Sequence, residues 1–187
     1  MDHKDRGSQM TGAAPAVTRW ITAEQFARDR GFARGYSLLN GKAIRDMGNA
    51  HSEHEAFKAV IHEILLLLLR SLSIDGRVFS DTSYEFDNLT VMAPDVSVQV
   101  PVRSFERGAF YRNSPEIAIE ILSPSNSIHE LDEKAKIYWT HGAGAVWVFD
   151  PRERRAFNVT PTGEWVPVDR LEACGLILDV DEVWETA

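Results

Sequence analysis

The pattern of polar and apolar positions in the first part of the chain predicts two helices with a strand-like stretch between them. Thr22 to Gln25 has the spacing of a capping box, so a short helix is predicted to run to about Arg30. The segment YSLLNGKAIR at 36–45 has an Asn-Gly turn between two short apolar stretches, which predicts a β-hairpin. Apolar residues at helical spacing over 52–71 predict a longer helix. Leucines also occupy its other side, so we expect its second half to be buried nearly all round.

The rest of the chain has mainly strand patterns, with one further helix. Strands are predicted near 77–79, 83–86, 92–100, 116–122 and 145–150, and a hairpin is predicted from 156–160 and 165–168. Within 92–100, valines alternate with Ser97 and Gln99, which is typical of a half-covered strand. Ser127 to Glu130 is another capping box, which opens a helix to about His141. Residues 103–113 are predicted to form a loop, and 177–184 a strand or a short terminal helix.

This order of elements predicts an α+β fold, a mixed β-sheet flanked by helices. The step from strand 116–122 through helix 128–141 to strand 145–150 is a βαβ unit, whose strands are parallel by default. The length of 187 residues suits one domain, which we place at 18–187. Residues 1–17 are small and polar, and we expect them to be disordered.

Composition and charge narrow the functional classes. Cys174 is the single cysteine, so no internal disulfide is possible and a reducing cytoplasm is the default location. We find no signal peptide, and the longest apolar run, 64–69, is too short to span a membrane. The net charge of −8 argues mildly against non-specific nucleic-acid binding, but residues 164–187 alone carry −6. Another face of the protein could therefore still receive a polyanion.

One carboxylate stands out because it interrupts a run of apolar residues. Glu120 lies in the predicted buried strand 116–122, and an ionised Glu is almost never fully buried without a partner. Either Glu120 faces solvent from an edge strand, or it has such a partner. Asp95 lies near the start of the preceding strand, after Pro94, so pairing of the two strands would bring both carboxylates to one end of the sheet. A hard divalent cation, Mg²⁺ or Mn²⁺, would relieve their repulsion and be the partner of Glu120.

A lysine on the next helix could complete this site. Glu130, Lys134 and Tyr138 lie at i, i+4 and i+8, on one stripe of the predicted helix 128–141, and we expect Tyr138 to be a core residue. That helix begins a few residues after Glu120, so its first turns should lie near the strand end that carries this carboxylate. An ammonium group there could orient an attacking water and stabilise charge building on a phosphoryl group.

Seven short motifs follow one another along the chain: YSLLNGKAI at 36–44, HEAFKAVIHEIL at 54–65, PD at 94–95, EILSPS at 120–125, KAKIY at 134–138, Gly142 and VWVFDP at 146–151. In this order and spacing they resemble the Uma-two family of restriction endonucleases, also known as domain of unknown function 820. The resemblance extends from about Tyr36 to Trp184. It implies a restriction-endonuclease-like fold of the PD-(D/E)XK nuclease superfamily and a divalent-metal phosphodiesterase.

The resemblance also implies roles for particular residues. Asp95 and Glu120 would be metal ligands, with the Ile121 carbonyl as a possible third. Leu122 stands where the plain superfamily motif has a lysine, and the family's lysine on the following helix corresponds to Lys134 and not to Lys136.

Other positions match the family less completely. His54 matches a family histidine, so we count it among the catalytic candidates. Glu53 and Glu55 both remain candidates for an additional acid from the first long helix. Ser37 and Lys42 stand where the family often has acids, which would weaken catalysis if those acids take part.

The predicted loop 103–113 suits contact with nucleic acid. Arg103, Arg107 and Arg112 alternate there with aromatic residues, and such sequences combine phosphate contacts with base stacking. The functional hypothesis is therefore an Mg²⁺-dependent endonuclease. DNA as the substrate, and a homodimer, are expected by family analogy alone. Two alternatives stay open: a catalytically weak or inactive nuclease fold that binds nucleic acid or a partner, and a metal-dependent hydrolase of another phosphodiester or small molecule.

Overall fold

Two mixed β-sheets with helices packed on them make up most of the structure. The structure, a computed structural model, describes residues 20–29, 35–45, 52–103, 110–112, 114–123 and 127–187. The helices of this part are α1 (Ala23–Arg28), α2 (Ser52–Ser71), α3 (Ile128–Thr140) and α4 (Val180–Thr186). None of them has the length and apolar character needed to cross a membrane. The predicted disorder of 1–17 lies outside the described residues, and a single domain over 18–187 stays a prediction.

Thirteen strands occur in the described residues. The first seven are β1 (Tyr36–Leu39), β2 (Lys42–Arg45), β3 (Arg77–Ser80), β4 (Tyr84–Asp87), β5 (Thr90–Met92), β6 (Val96–Gln99) and β7 (Tyr111–Arg112). The others are β8 (Ile117–Ile121), β9 (Ala145–Asp150), β10 (Arg155–Val159), β11 (Trp165–Val168), β12 (Arg170–Ala173) and β13 (Leu176–Asp179).

The larger sheet has six strands in the order β11-β10-β9-β8-β6-β3, and β8 and β9 pair in parallel at its centre. The smaller sheet has five strands in the order β2-β1-β5-β4-β7, with β4 and β7 parallel. The strands β12 and β13 form a separate antiparallel pair. These mixed sheets and the helices on them confirm the predicted α+β class.

Most local predictions are confirmed. The capping boxes at Thr22 and Ser127 are both formed, and they open α1 and α3. The hairpin of β1 and β2 turns at Asn40 and Gly41, whose positive φ angles of 48° and 75° suit a tight Asn-Gly turn. β8, α3 and β9 form the predicted βαβ unit with parallel strands, and β10 and β11 form the predicted hairpin.

The predicted strand 92–100 is wrong as a single element. The chain leaves β5 in the five-stranded sheet, passes through Ala93 and Pro94, and enters β6 in the six-stranded sheet. A proline has no N–H to give to a strand ladder, so the break falls where a ladder could not continue. Asp95 consequently lies at the point where the chain changes sheets, immediately before β6.

The polar side of β6 is buried and not open to solvent, contrary to the half-covered strand predicted. All four residues of β6 are buried. Ser97 Oγ lies 2.9 Å from the hydroxyl of buried Tyr84 in the other sheet, and the Gln99 amide lies 3.5 Å from the same hydroxyl. The alternation is genuine, but the polar face is covered by a second sheet with hydrogen-bonding partners.

The helix α2 is buried on one side only, which corrects the expectation for its second half. Leu65 is fully buried, whereas Leu67 is 54% exposed and Leu72 is 50% exposed. Sequence also missed the short strand β7 within the predicted loop 103–113 and the strand β12. The segment 177–184, for which strand and helix both stayed open, contains the end of β13 and most of α4.

The central strand β8 has a different neighbour on each face. Ile117, Ile119 and Ile121 pack in one apolar cluster with residues of α2 and α4, while Ala118 packs with residues of α3 on the other side. Because side chains alternate along a strand, Glu120 shares the face of Ala118 and points to the side of α3. The six-stranded sheet therefore separates an apolar core under α2 from the region that contains Glu120 and α3.

Leu65 and Leu67 test the difference in burial between the two sides of α2. We expect Leu65→Ala to lower the free energy of unfolding by about 2–5 kcal/mol, because it leaves a cavity in the core. We expect Leu67→Ala to change it by less than about 0.5 kcal/mol, because the side chain is largely in solvent already. Urea denaturation of both variants measures the difference, and equal losses would contradict the burial described for α2.

Candidate active site

The register of two antiparallel strands brings Asp95 and Glu120 to the same place. Val96 of β6 pairs with Ile119 of β8, so Asp95 lies opposite Glu120 one step further along. The Asp95 carboxylate accepts a hydrogen bond from the Ile121 N–H at 2.7 Å. The side chain of Asp95 thus takes the place of a backbone acceptor at the end of the ladder.

Glu120 is a buried carboxylate with two donors from α3. Its side chain is 2% exposed. Lys134 Nζ lies 2.9 Å from Oε2, and the hydroxyl of Tyr138 donates to Oε1 at 2.5 Å. Since Lys134 and Tyr138 are one helical turn apart, a single face of α3 supplies both donors.

His54 approaches Asp95 from the other side of the site. It lies in the first turn of α2, and its Nε2 is 3.5 Å from Asp95 Oδ2. Its Nδ1 is 3.7 Å from Glu55 and has no hydrogen-bond partner among the described residues. The imidazole therefore presents Nε2 to Asp95 and has donor or acceptor capacity left at Nδ1.

Burial and neighbouring charges move the pKa values of these groups apart. Desolvation raises the pKa of Glu120 to about 7, and the negative charge of Asp95 adds to the rise, while Lys134 and Tyr138 oppose it. Desolvation also acts to raise the pKa of Asp95, but His54, Lys134 and the Ile121 N–H together hold it below its ordinary value. The hydrogen bond with Asp95 raises the pKa of His54. Near neutral pH Asp95 is thus ionised, and Glu120 is protonated in part of the molecules.

These donors suit a hard cation that completes its shell with water or substrate oxygens. Among the residues described, no three His, Cys, Asp or Glu side chains gather closely enough to hold a metal ion. Mg²⁺, however, is commonly bound by one or two carboxylates, with waters and phosphate oxygens as its other ligands. Asp95 and Glu120 fit that pattern, because both are oxygen donors and each carboxylate disfavours the ionised form of the other. The Ile121 carbonyl as a third ligand stays a prediction.

The predicted nucleic-acid contacts differ in their surroundings. The guanidinium of Arg103 donates to the Arg112 carbonyl at 3.0 Å and forms an ion pair with Glu116, so it ties two chain segments together. The side chain of Arg112 is exposed, and Arg107 lies outside the described residues. Of the three arginines predicted, Arg112 is the one whose described surroundings best suit a phosphate contact.

Other positions singled out in the sequence lie around the site or away from it. Lys136 points away and pairs with Glu133 at 2.8 Å. Ser37 is buried in β1, while Lys42 on β2 lies 5.5 Å from the ring centroid of Trp20. Of the two alternative acids on α2, Glu55 is the one that contacts His54.

Sequence reasoning did not assign two groups that the structure places at or beside the site. Tyr138 was expected in the core, and it is buried, but its hydroxyl binds Glu120. Lys58 is absent from the site predicted by sequence, yet its ammonium group is buried on the same helix as His54, between Glu55 and Asp81. A signal existed in both cases: each residue lies four positions after a predicted site residue, on the same helical face as Lys134 or His54.

Comparison with solved structures shows that the fold is shared with another protein. The chain superposes on a structure from Anabaena variabilis, titled a "putative nuclease belonging to DUF820", with a TM-score of 0.75. The match covers 89% of this chain and 98% of that chain, at 21% sequence identity.

The family follows from a second comparison. The model of the Uma2 family, described as "Putative restriction endonuclease", matches residues 24–179. This chain belongs to that family, which confirms the resemblance found in the sequence. Comparison with curated proteins gives no match.

The raised pKa of Glu120 predicts a dependence of stability on pH in metal-free protein. Between about pH 4.5 and about pH 7 the folded protein holds a proton on Glu120 that the unfolded chain has lost. This contribution to stability is present at low pH and is lost as the pH rises to about 7. Glu120→Gln cannot ionise, so its free energy of unfolding should gain about 1–3 kcal/mol relative to wild type between pH 5 and pH 8. Urea denaturation in a chelator measures this, and parallel pH curves would contradict it.

Proposed function

We propose that this protein is a divalent-metal-dependent endonuclease that hydrolyses phosphodiester bonds, with DNA as the substrate class. Asp95 and Glu120 would hold Mg²⁺ or Mn²⁺, and Lys134 would assist the attack of water. The observation that carries the proposal is a buried Glu120 opposite Asp95, with the Lys134 ammonium 2.9 Å from its carboxylate. Membership in a family described as restriction endonucleases supports the reaction class.

The proposed metal would act on water and phosphate, and the residues around it would orient the carboxylates that hold it. Bound Mg²⁺ would lower the pKa of a water and stabilise charge on the phosphate oxygens. Tyr138 fixes one oxygen of Glu120 by its hydrogen bond, which orients the other oxygen. The Ile121 N–H orients Asp95 in the same way, and the His54 imidazole lies 3.5 Å from the same oxygen of Asp95. Such partners of ligand carboxylates commonly tune a metal centre.

Lys134 contributes a positive charge that can act on the substrate. Its ammonium has three N–H donors, and one is directed to Glu120 Oε2. Donors fixed in place before the reaction stabilise charge that develops on a phosphoryl group. Lys134 would therefore position the attacking water or neutralise the equatorial oxygens of the transition state.

One observation favours a second candidate, a nuclease fold that binds nucleic acid or a partner without cutting. Both oxygens of Glu120 already have protein donors, Lys134 and Tyr138, so its burial is satisfied without a cation. Ser37 and Lys42, in place of the acids common in the family, point in the same direction. This candidate predicts nucleic-acid binding that needs no divalent cation.

Titration of Mn²⁺ into wild type and Glu120→Gln separates the two candidates. We expect wild type to bind Mn²⁺ and the variant to bind it at least tenfold more weakly, because the variant removes one anionic ligand. Asp95→Asn should weaken the binding of Mn²⁺ to a similar extent. Titrations repeated with an oligonucleotide present supply phosphate oxygens as further ligands. If wild type and both variants bind Mn²⁺ equally, Asp95 and Glu120 are not the metal ligands, and if wild type binds no Mn²⁺ under either condition, the metal-dependent function is wrong.

A pair of lysines on α3 tests the role of Lys134. We expect Lys134→Met to lower the rate of DNA cleavage by about a hundredfold or more while Mn²⁺ is still bound, because it removes one preorganised charge. Lys136→Met is the matched control, since Lys136 is on the same helix but pairs with Glu133 away from the site. Cleavage of a labelled duplex in Mg²⁺ measures both rates. Equal rates for the two variants would exclude Lys134 from the reaction.

A further inference from the structure

A buried lysine, Lys58, lies next to the candidate site on α2, whereas the half-buried Lys134 reaches the site from α3. The side chain of Lys58 on α2 is 7% exposed, and its Nζ lies 2.8 Å from Glu55 and 2.7 Å from Asp81. The two acids are themselves 52% and 62% exposed, so water could solvate them without the lysine. Burial of an ammonium group costs free energy, and acids this exposed do not need a buried cation to compensate their charge. The lysine therefore joins two segments of the chain and is not required to neutralise a buried charge.

One of the joined segments directly supports Asp95. Ser80 at the end of β3 pairs with Val96 at the start of β6, so Asp81 and Asp95 are the next positions of the two strands. The Asp81 N–H donates to the Asp95 carbonyl at 3.2 Å. Asp81 has a φ of 50°, a left-handed conformation that Asp adopts more readily than most residues other than glycine. The ion pair with Lys58 is a further contact on this residue.

The other joined segment carries His54. Lys58 lies one helical turn after His54, so both side chains project from the same face of α2. His54 contacts the carboxylate of Asp95, while Lys58 contacts Asp81, whose N–H supports the Asp95 backbone. The two side chains thus connect α2 to the paired ends of β3 and β6.

We propose that Lys58 is a positioning residue for the candidate site: its ion pair with Asp81 fixes α2 against the end of β3, and so keeps His54 and the Asp81 N–H on Asp95. Lys58 acts through these groups and touches neither Asp95 nor Glu120 in the described contacts. The effect on a bound metal rests on the proposed function, but the effect on the position of Asp95 does not.

Three variants of the full chain test this role. Lys58→Met keeps the apolar stem and removes the charge, and Lys58→Arg keeps the charge. Lys136→Met is the matched control, because Lys136 also pairs with a glutamate three residues before it at 2.8 Å, but on the surface of α3. The first measurement is amide hydrogen exchange by NMR in metal-free protein, at Asp81 and at Ile121, whose N–H groups bind Asp95. The second measurement is the affinity for Mn²⁺.

We expect Lys58→Met to accelerate exchange at Asp81 and Ile121 roughly tenfold relative to amides of β10 and β11, because a charge-assisted hydrogen bond is lost. Its affinity for Mn²⁺ should fall roughly tenfold, as is typical when a supporting group of a metal site is removed. The exchange rates and Mn²⁺ affinity of Lys58→Arg should lie closer to those of wild type, and those of Lys136→Met should equal those of wild type.

Other outcomes would overturn the proposal. Unchanged exchange at both amides would show that Lys58 does not hold Asp95. Equal acceleration across β10 and β11 would indicate a general loss of stability instead of positioning. A second bound Mn²⁺ in Lys58→Met would mean that the lysine acts by neutralising Glu55 and Asp81. If wild type binds no Mn²⁺ at all, the proposed function fails, while the exchange data still decide the role of Lys58.

Discussion

The burial of one carboxylate constrains much of the structure around it. Glu120 lies in the central strand of the six-stranded sheet, where an uncompensated negative charge would cost several kcal/mol. Its compensation comes from one face of α3, and α3 is placed by the βαβ connection from β8 to β9. Asp95 reaches the same place through the register of β6 on β8. The strand register and the βαβ connection that form the central sheet therefore also bring the polar site together.

Sequence was most informative where a pattern is local. The Thr22 and Ser127 caps, the Asn40-Gly41 turn and the βαβ step all depend on residues close together in the chain. The approach of Lys134 to Glu120 could also be anticipated, because α3 begins only a few residues after Glu120 in the sequence. These features need no knowledge of distant segments.

Features that depend on distant segments could not be predicted in the same way. The burial of Ser97 depends on Tyr84 in the other sheet. The exposure of Leu67 depends on which side of α2 packs against the sheet, and the helix sequence alone does not determine that. The contact of Lys58 with Asp81 joins residues from a helix and a strand end, and no local pattern predicts it. Tyr138 lies on the predicted stripe but was assigned to the core, because a buried aromatic residue is more often part of the core than of a site.

The hydrogen bond from the Ile121 N–H to Asp95 fixes the position of β8 relative to Asp95, and this restricts insertions and deletions in the strand. Adding or removing one residue within β8 before Glu120 would turn its carboxylate to the opposite side of the sheet, among the isoleucines. A change of two residues would restore the side but shift the carboxylate by about 6.6 Å along the strand, beyond hydrogen-bonding reach of Lys134 and Tyr138. The length of this strand is therefore as restricted as the identity of the acid it carries.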